Sequence, residues 1–320
     1  MRYTTVVESN DLAERVAAGD FRAAARLMRW LDDGDPRALP VYSRLFDRMG
    51  HAMRTGITGA AGVGKSTLVD ALVTRWRAAG LRVGVVAVDP SSPFTGGALL
   101  GDRVRLGRHA EDPGVFIRSL ASRGRLGGVS ASTALVAGVL DAMGFDHVVV
   151  ETVGVGQGEV EILRHVDTTV VVIAPGHGDE IQAQKAGLLE IADILVVNKA
   201  DLDGAEDAAA HLEAAIALSD RDARKPRVLR VSAREDQGIE GLVAEIDRLR
   251  GEGQARPGCP RDERSRTEAL LADLVTRESG LRLRRLLDLD AEARTIVDAV
   301  AARRLDPFAA AEALLEHLLK

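Results

Sequence analysis

The stretch GITGAAGVGKSTLVDAL, residues 56–72, sets Gly59, Gly64, Lys65 and Ser66 at the G-x-x-x-x-G-K-[ST] spacing, between an extended run and an amphipathic one. Glycines let consecutive backbone N–H groups turn toward one point, and a helix opening at Lys65 adds the positive end of its dipole. Gly59, Ala61, Gly62, Val63, Gly64, Lys65, Ser66 and Thr67 are therefore the candidate cradle for a nucleotide's phosphates. Lys65 would serve the β- and γ-phosphates as a compact charge, and the Ser66 hydroxyl would ligate Mg²⁺.

Lysine usage is an independent signal. Only five of the 42 basic residues are lysines, at 65, 185, 199, 225 and 320, so arginine is the default cation of this chain. A lysine kept regardless points to a need for a flexible point charge rather than a planar fork. Lys199 lies in NKAD, residues 198–201, directly after the apolar run DILVV. In such a turn the Asn198 side chain is expected at the purine O6/N7 edge and the Lys199 stem over the ring. The Asp201 carboxylate would accept from the ring N–H and the exocyclic amine. Only guanine offers those two donors, and adenine would leave Asp201 unpaired under the base. SARE, residues 232–235, fits the last base-contacting turn, with Ser232 and the Ala233 N–H toward O6.

Acidic residues stand where a magnesium ion would need them. VVVETVGVGQGE, residues 148–159, places Glu151 at the end of a buried strand and Gly154 where its N–H could meet a γ-phosphate. Asp89 ends a second strand, and Asp102 follows in a loop rich in Gly, Pro and Ser. Both are assigned to the metal or water shell. Val155 occupies the position after Gly154, and Gln157 lies two residues beyond, so intrinsic hydrolysis is expected to be slow until a partner orders the attacking water.

The elements that position these residues follow from periodicity. Residues 1–50 read as short helices. From 51 to 250, seven β-rich runs alternate with helical ones, which predicts an α/β fold: a mostly parallel sheet with helices on both faces. GEGQARPGCPRDE, residues 251–263, reads as a linker, and about three helical runs complete a segment 251–320, the last capped by Asp306 ahead of Pro307. The single Cys259 excludes an internal disulfide framework and argues against a cysteine-rich metal site. A net charge of -6 argues against a nucleic-acid partner, and no apolar run reaches the roughly 20 residues a membrane span needs. A cytoplasmic protein is expected.

DPSSPFTGGALLGD, LGG at 126–128, ETVGVGQ, GDEIQAQKAG and NKAD, in this order behind the phosphate loop, resemble the MeaB/ArgK family of P-loop GTPase metallochaperones. The likeness is dense over residues 50–250. It implies a GTP/GDP and Mg²⁺ enzyme that docks on an adenosylcobalamin-dependent acyl-CoA mutase and gates delivery of intact cofactor from an adenosyltransferase. It also implies help in rejecting damaged cofactor, and a homodimer formed through the C-terminal helical arm. Adenosylcobalamin itself would belong to the partner. Carried over residue by residue, Lys65 and Ser66 keep their roles, and Asp89, Asp102 and Glu151 match the acidic residues around the metal. Asn198 and Asp201 match the base readers. Residues 176–187 match a third switch that couples nucleotide to mutase, with Asp179 and Lys185 its expected functional side chains. This chain lacks the proline frequent within the phosphate loop and has Gly158 where Ser is frequent. Two rivals are carried: a small-molecule kinase or ATPase, disfavoured by NKAD, and a nickel-inserting GTPase, disfavoured by one Cys and seven scattered His.

Overall fold

The computed structural model describes residues 2–89, 107–121, 128–152, 154, 161–176, 190–218, 225–252 and 263–318. Seven strands, β1 Met53–Gly59, β2 Val83–Asp89, β3 Val115–Ala121, β4 His147–Thr152, β5 Thr168–Ile173, β6 Ile194–Val197 and β7 Arg227–Arg230, form one sheet. Its order is β3-β2-β4-β1-β5-β6-β7, and every paired neighbour is parallel. The inner strands are buried along nearly their whole length because both faces are covered, and β4 to β6 accordingly read as runs rich in Val, Ile and Thr rather than as alternating ones.

One face packs against α4 (Lys65–Ala78) and α7 (Ile239–Glu252), where Leu68, Leu72, Trp76, Leu242 and Ile246 meet Ile57, Val149 and Val170. The other face carries α5 (Gly128–Ala142) and α6 (Ala205–Leu218). The N-terminal helices α1 (Arg2–Ala17), α2 (Phe21–Asp33) and α3 (Ala38–Leu45) share the hydrophobic cluster of α5. Asp20 starts α2 by accepting the Arg22 and Ala23 N–H groups, and Gly34 ends it in the left-handed region. The buried Asp141 carboxylate at the end of α5 accepts the N–H groups of Gly50, His51 and Ala52, so the chain enters β1 on a fixed line.

Beyond the sheet, α8 (Glu263–Leu289) runs 27 residues, followed by α9 (Ala291–Ala301) and α10 (Pro307–Leu318). Asp306 caps α10 by accepting from the Phe308 and Ala309 N–H groups. The predicted linker overlaps the end of α7 and the start of α8 and otherwise lies outside the described residues, as does Cys259. Among the described residues no helix is long and apolar enough to cross a membrane.

Candidate nucleotide site

Chain direction reverses at β1: the chain moves out to β2 and β3, returns to β4 beside β1, then crosses to β5 on the other side. In open parallel sheets ligands bind at the carboxyl ends of the strands around such a reversal. The phosphate loop leaves β1 there. Gly64 starts α4 with φ of 94°, and a Cβ on it would overlap Asn198 Nδ2. Gly59, with φ of 150°, lies so close to β5 that a Cβ would overlap the Val172 carbonyl oxygen. Glycine is required at both for backbone and for space.

Lys65 is buried in the first turn of α4 and donates to the carbonyls of Gly59 at 2.8 Å and Ala60 at 2.9 Å. Its ammonium is therefore held over the mouth of the loop. Val63 is buried, whereas Ala61, Gly62 and Thr67 are exposed. Beside them the Ser66 hydroxyl donates to Glu151 Oε1 at 2.7 Å, and both side chains are buried. The sheet explains the meeting, because β1 pairs with β4 so that Ile57 sits beside Glu151, both directed toward the α4 face. A hydroxyl and a carboxylate oxygen converging at the loop are the hard oxygen donors that Mg²⁺ takes, so the residues present fit that ion.

Asp89 ends β2 at the same carboxyl edge. Asp102, Gln157, Asp179 and Lys185 lie outside the described residues.

The NKAD and SARE turns come together at the ends of β6 and β7. Asn198 is buried and its amide is held by the protein at both ends: Nδ2 donates to the Val63 carbonyl at 2.8 Å, and Oδ1 accepts from Ala233 N–H at 3.1 Å. The two groups that the sequence aims at the purine edge are bonded to each other in this structure. A buried carboxamide must satisfy both ends, and this one does so by tying the phosphate loop to the base turn. Lys199 has φ of 58° and donates to the Gly62 carbonyl at 2.8 Å, a second tie across the loop. Asp201 is exposed, and its Oδ1 accepts the Ser232 hydroxyl at 2.5 Å. That bond, with its own backbone N–H, holds the carboxyl below its ordinary range, so it stands ionised and ready to accept.

Gly154 is fixed by residues that sequence reasoning passed over. Thr58 donates to the Gly154 carbonyl at 2.6 Å, and Thr152 lies 2.9 Å from the Thr58 hydroxyl. The available signal was a hydroxyl at the matching end of two buried strands.

A parallel sheet with a phosphate loop at its reversal point and a guanine-type turn two strands away defines a P-loop GTPase. The sequence pattern of the family described as methylmalonyl-CoA mutase-associated GTPase MeaB matches residues 24–284, and the chain belongs to that family. It is 41% identical over 319 residues to a Pyrococcus abyssi protein named as a GTPase, covering 97% of each chain. It is 39% identical over 201 residues to a fused isobutyryl-CoA mutase of Cupriavidus metallidurans, covering 61% of this chain and 18% of that one. Among solved structures, that of a LAO/AO transport system kinase superposes with a TM-score of 0.68 at 29% identity, covering 99% of this chain and 98% of that one.

Proposed function

We propose that this GTPase is a chaperone of an adenosylcobalamin-dependent acyl-CoA mutase, using GTP binding and hydrolysis to gate cofactor loading and to protect or reactivate the loaded enzyme. The observation that carries the partner is the relative in which a segment similar to this chain forms part of a protein named as a fused acyl-CoA mutase. A segment found within the same polypeptide as an enzyme works at that enzyme's effective concentration, and a separate chain doing the same work must dock instead.

In the reaction, water attacks the γ-phosphate in line with the leaving GDP oxygen. Lys65 neutralises charge developing on the β- and γ-oxygens, the loop N–H groups from Ala61 to Thr67 hold the phosphates, and the Gly154 N–H senses the third phosphate. Ser66 and Glu151, with Asp89 and Asp102, would hold Mg²⁺, which supplies further charge neutralisation when bound. Asp201, assisted by Ser232 and Ala233, selects guanine, with Asn198 and Lys199 as struts between the base turn and the loop. Water positioning is assigned to Gln157 or Lys185, and Asp179 with Lys185 couples the site to the mutase. A homodimer forms through α8 to α10, and an adenosyltransferase would hand cofactor to the complex.

The test measures GTP hydrolysis by the full chain alone and with each of several adenosylcobalamin-dependent mutases at matched concentration, with ATP as control and Lys65→Ala as blank. A slow, GTP-specific rate raised at least about tenfold by one mutase, about 1.4 kcal/mol of barrier, is expected. If no mutase binds or changes the rate, the partner assignment fails. Equal use of ATP would instead favour the kinase reading suggested by the transport-system relative.

A further inference from the structure

Parallel pairing of Ile57 with Glu151 brings the next residues along, Thr58 and Thr152, side by side on the opposite face of the sheet, away from α4. Both are fully buried at 0% exposure, at the ends of two central strands whose residues are almost all buried. Hydroxyls in such a layer are costly unless bonded. Each has one hydrogen to give. That of Thr58 goes to the Gly154 carbonyl at 2.6 Å, while that of Thr152 is shared between Thr58 Oγ1 at 2.9 Å and the same carbonyl at 3.0 Å. Both hydrogens thus converge on one backbone oxygen, at the residue where a strand end turns into the switch.

We propose that Thr58 and Thr152 are positioning residues for GTP hydrolysis: by anchoring the Gly154 carbonyl they fix the backbone that meets the γ-phosphate. A glycine's φ and ψ are otherwise weakly set, and anchoring its carbonyl removes much of that freedom before the third phosphate arrives. The anchor springs from the residue directly before Gly59, so phosphate loop and switch share one rigid reference. This rests on the assignment of the Gly154 N–H to the γ-phosphate. GDP, which lacks the third phosphate, should be indifferent to the latch.

The experiment compares affinities for a non-hydrolysable GTP analogue and for GDP, together with kcat and KM for GTP, in full-length Thr58→Val, Thr58→Ser and Thr152→Val. Valine keeps the β-branched shape and removes the hydroxyl. Thr58→Val is expected to lower analogue affinity and kcat about tenfold while GDP affinity stays within about twofold, because only the third phosphate needs the anchored peptide. Thr58→Ser, which retains the donor, restores both to within about threefold of wild type. Thr152→Val shows the same pattern at smaller amplitude, and it carries the test should Thr58→Val misfold. Equal losses for GDP and analogue, unchanged affinity and kcat, or a serine variant as impaired as the valine one would overturn the proposal. A wild-type chain that binds both nucleotides yet hydrolyses no GTP would sink the functional reading, and the affinity ratio would still decide the latch.

Discussion

Guanine presents a ring N–H and an exocyclic amine side by side, and an ionised carboxylate is the side chain that accepts from both. Asp201 is prepared for this: the Ser232 hydroxyl occupies Oδ1 at 2.5 Å and keeps the group ionised and oriented. Changing it to asparagine replaces an acceptor by a donor next to two donors. Asp201→Asn should therefore weaken GTP and GDP binding by roughly tenfold to a hundredfold. Xanthine carries a carbonyl where guanine carries the amine, so the same variant should gain affinity for xanthosine nucleotides. Titration of the wild type and variant with both nucleotide families checks this, and an unchanged guanine preference would remove Asp201 from the base-reading role. Asn198 is bonded to the protein at both ends of its amide. Its amide already joins Val63 to Ala233, so its replacement should loosen loop and base turn together rather than alter which base is chosen.

At the scale of elements, α4 is held to the sheet by a stack as well as by aliphatic packing. The Trp76 ring lies on the His147 ring with centroids 4.2 Å apart, and His147, the first residue of β4, is 1% exposed. Burial, reinforced by the positive charge of Arg250, lowers the His147 pKa to about 4, so the folded protein holds this imidazole neutral. The unfolded chain takes up a proton near the ordinary value of about 6.5 that the folded chain refuses, so stability falls as pH drops from about 6.5 toward 4. The full shift corresponds to about 3 kcal/mol. Denaturant unfolding across that window should show the loss, and His147→Phe, which keeps a stacking ring, should flatten it. A wild-type profile level between those pH values would refute the assignment. Most strands were legible in the sequence because they are apolar runs bounded by breakers, and the phosphate loop because its spacing is local. The order β3-β2-β4-β1-β5-β6-β7 was not, and with it went the detailed contacts that depend on β4 lying beside β1. Ser66 and Glu151, 85 positions apart, were expected around one Mg²⁺, but the direct bond between them and the meeting of Thr58 with Thr152, 94 positions away, are consequences of that adjacency. For Asn198 the residue was recognisable, but its partners Val63 and Ala233 come from two other strand ends and leave no local trace.

At the scale of the molecule, α8 is fastened to the GTPase body by spaced polar contacts from Arg266 to Arg277. Arg266 pairs with Asp167, Asp273 accepts from the buried His165 at 2.8 Å, and Arg277 reaches Ser132 at 3.2 Å and the Leu31 carbonyl. His165 also touches Ser130 at 2.9 Å, so this junction joins α8 to the start of α5 and to the turn that follows the switch. Burial opposes ionisation of Asp273, but the bonds from His165 and Ser130 outweigh it and hold the carboxyl below its ordinary range. α9 and α10 pack on this anchored helix and on each other. The arm ends in an apolar groove of about 390 Å³ between α9 and α10, lined by Ile296, Val297, Val300, Ala310, Ala311 and Leu314. Of the lining, Val297 is 46% exposed, and Leu315, adjacent in sequence to the lining Leu314, is 57% exposed. In the proposed homodimer a twofold axis presents this face to its own copy, so each apolar side chain contributes twice. Val297→Asp combined with Leu315→Asp therefore places four carboxylates in one dimer interface, where burying each apolar side chain had contributed about 1.5–3 kcal/mol. Sedimentation should show the dimer dissociation constant rising at least about a thousandfold, about 4 kcal/mol, with partner-free GTP hydrolysis unchanged because the groove lies on helices remote in sequence from the nucleotide residues. A double variant that sediments as the wild-type dimer would move the interface off this arm. A wild type that is monomeric at micromolar concentration would leave the groove free for the mutase, making the arm a docking element rather than a twofold one.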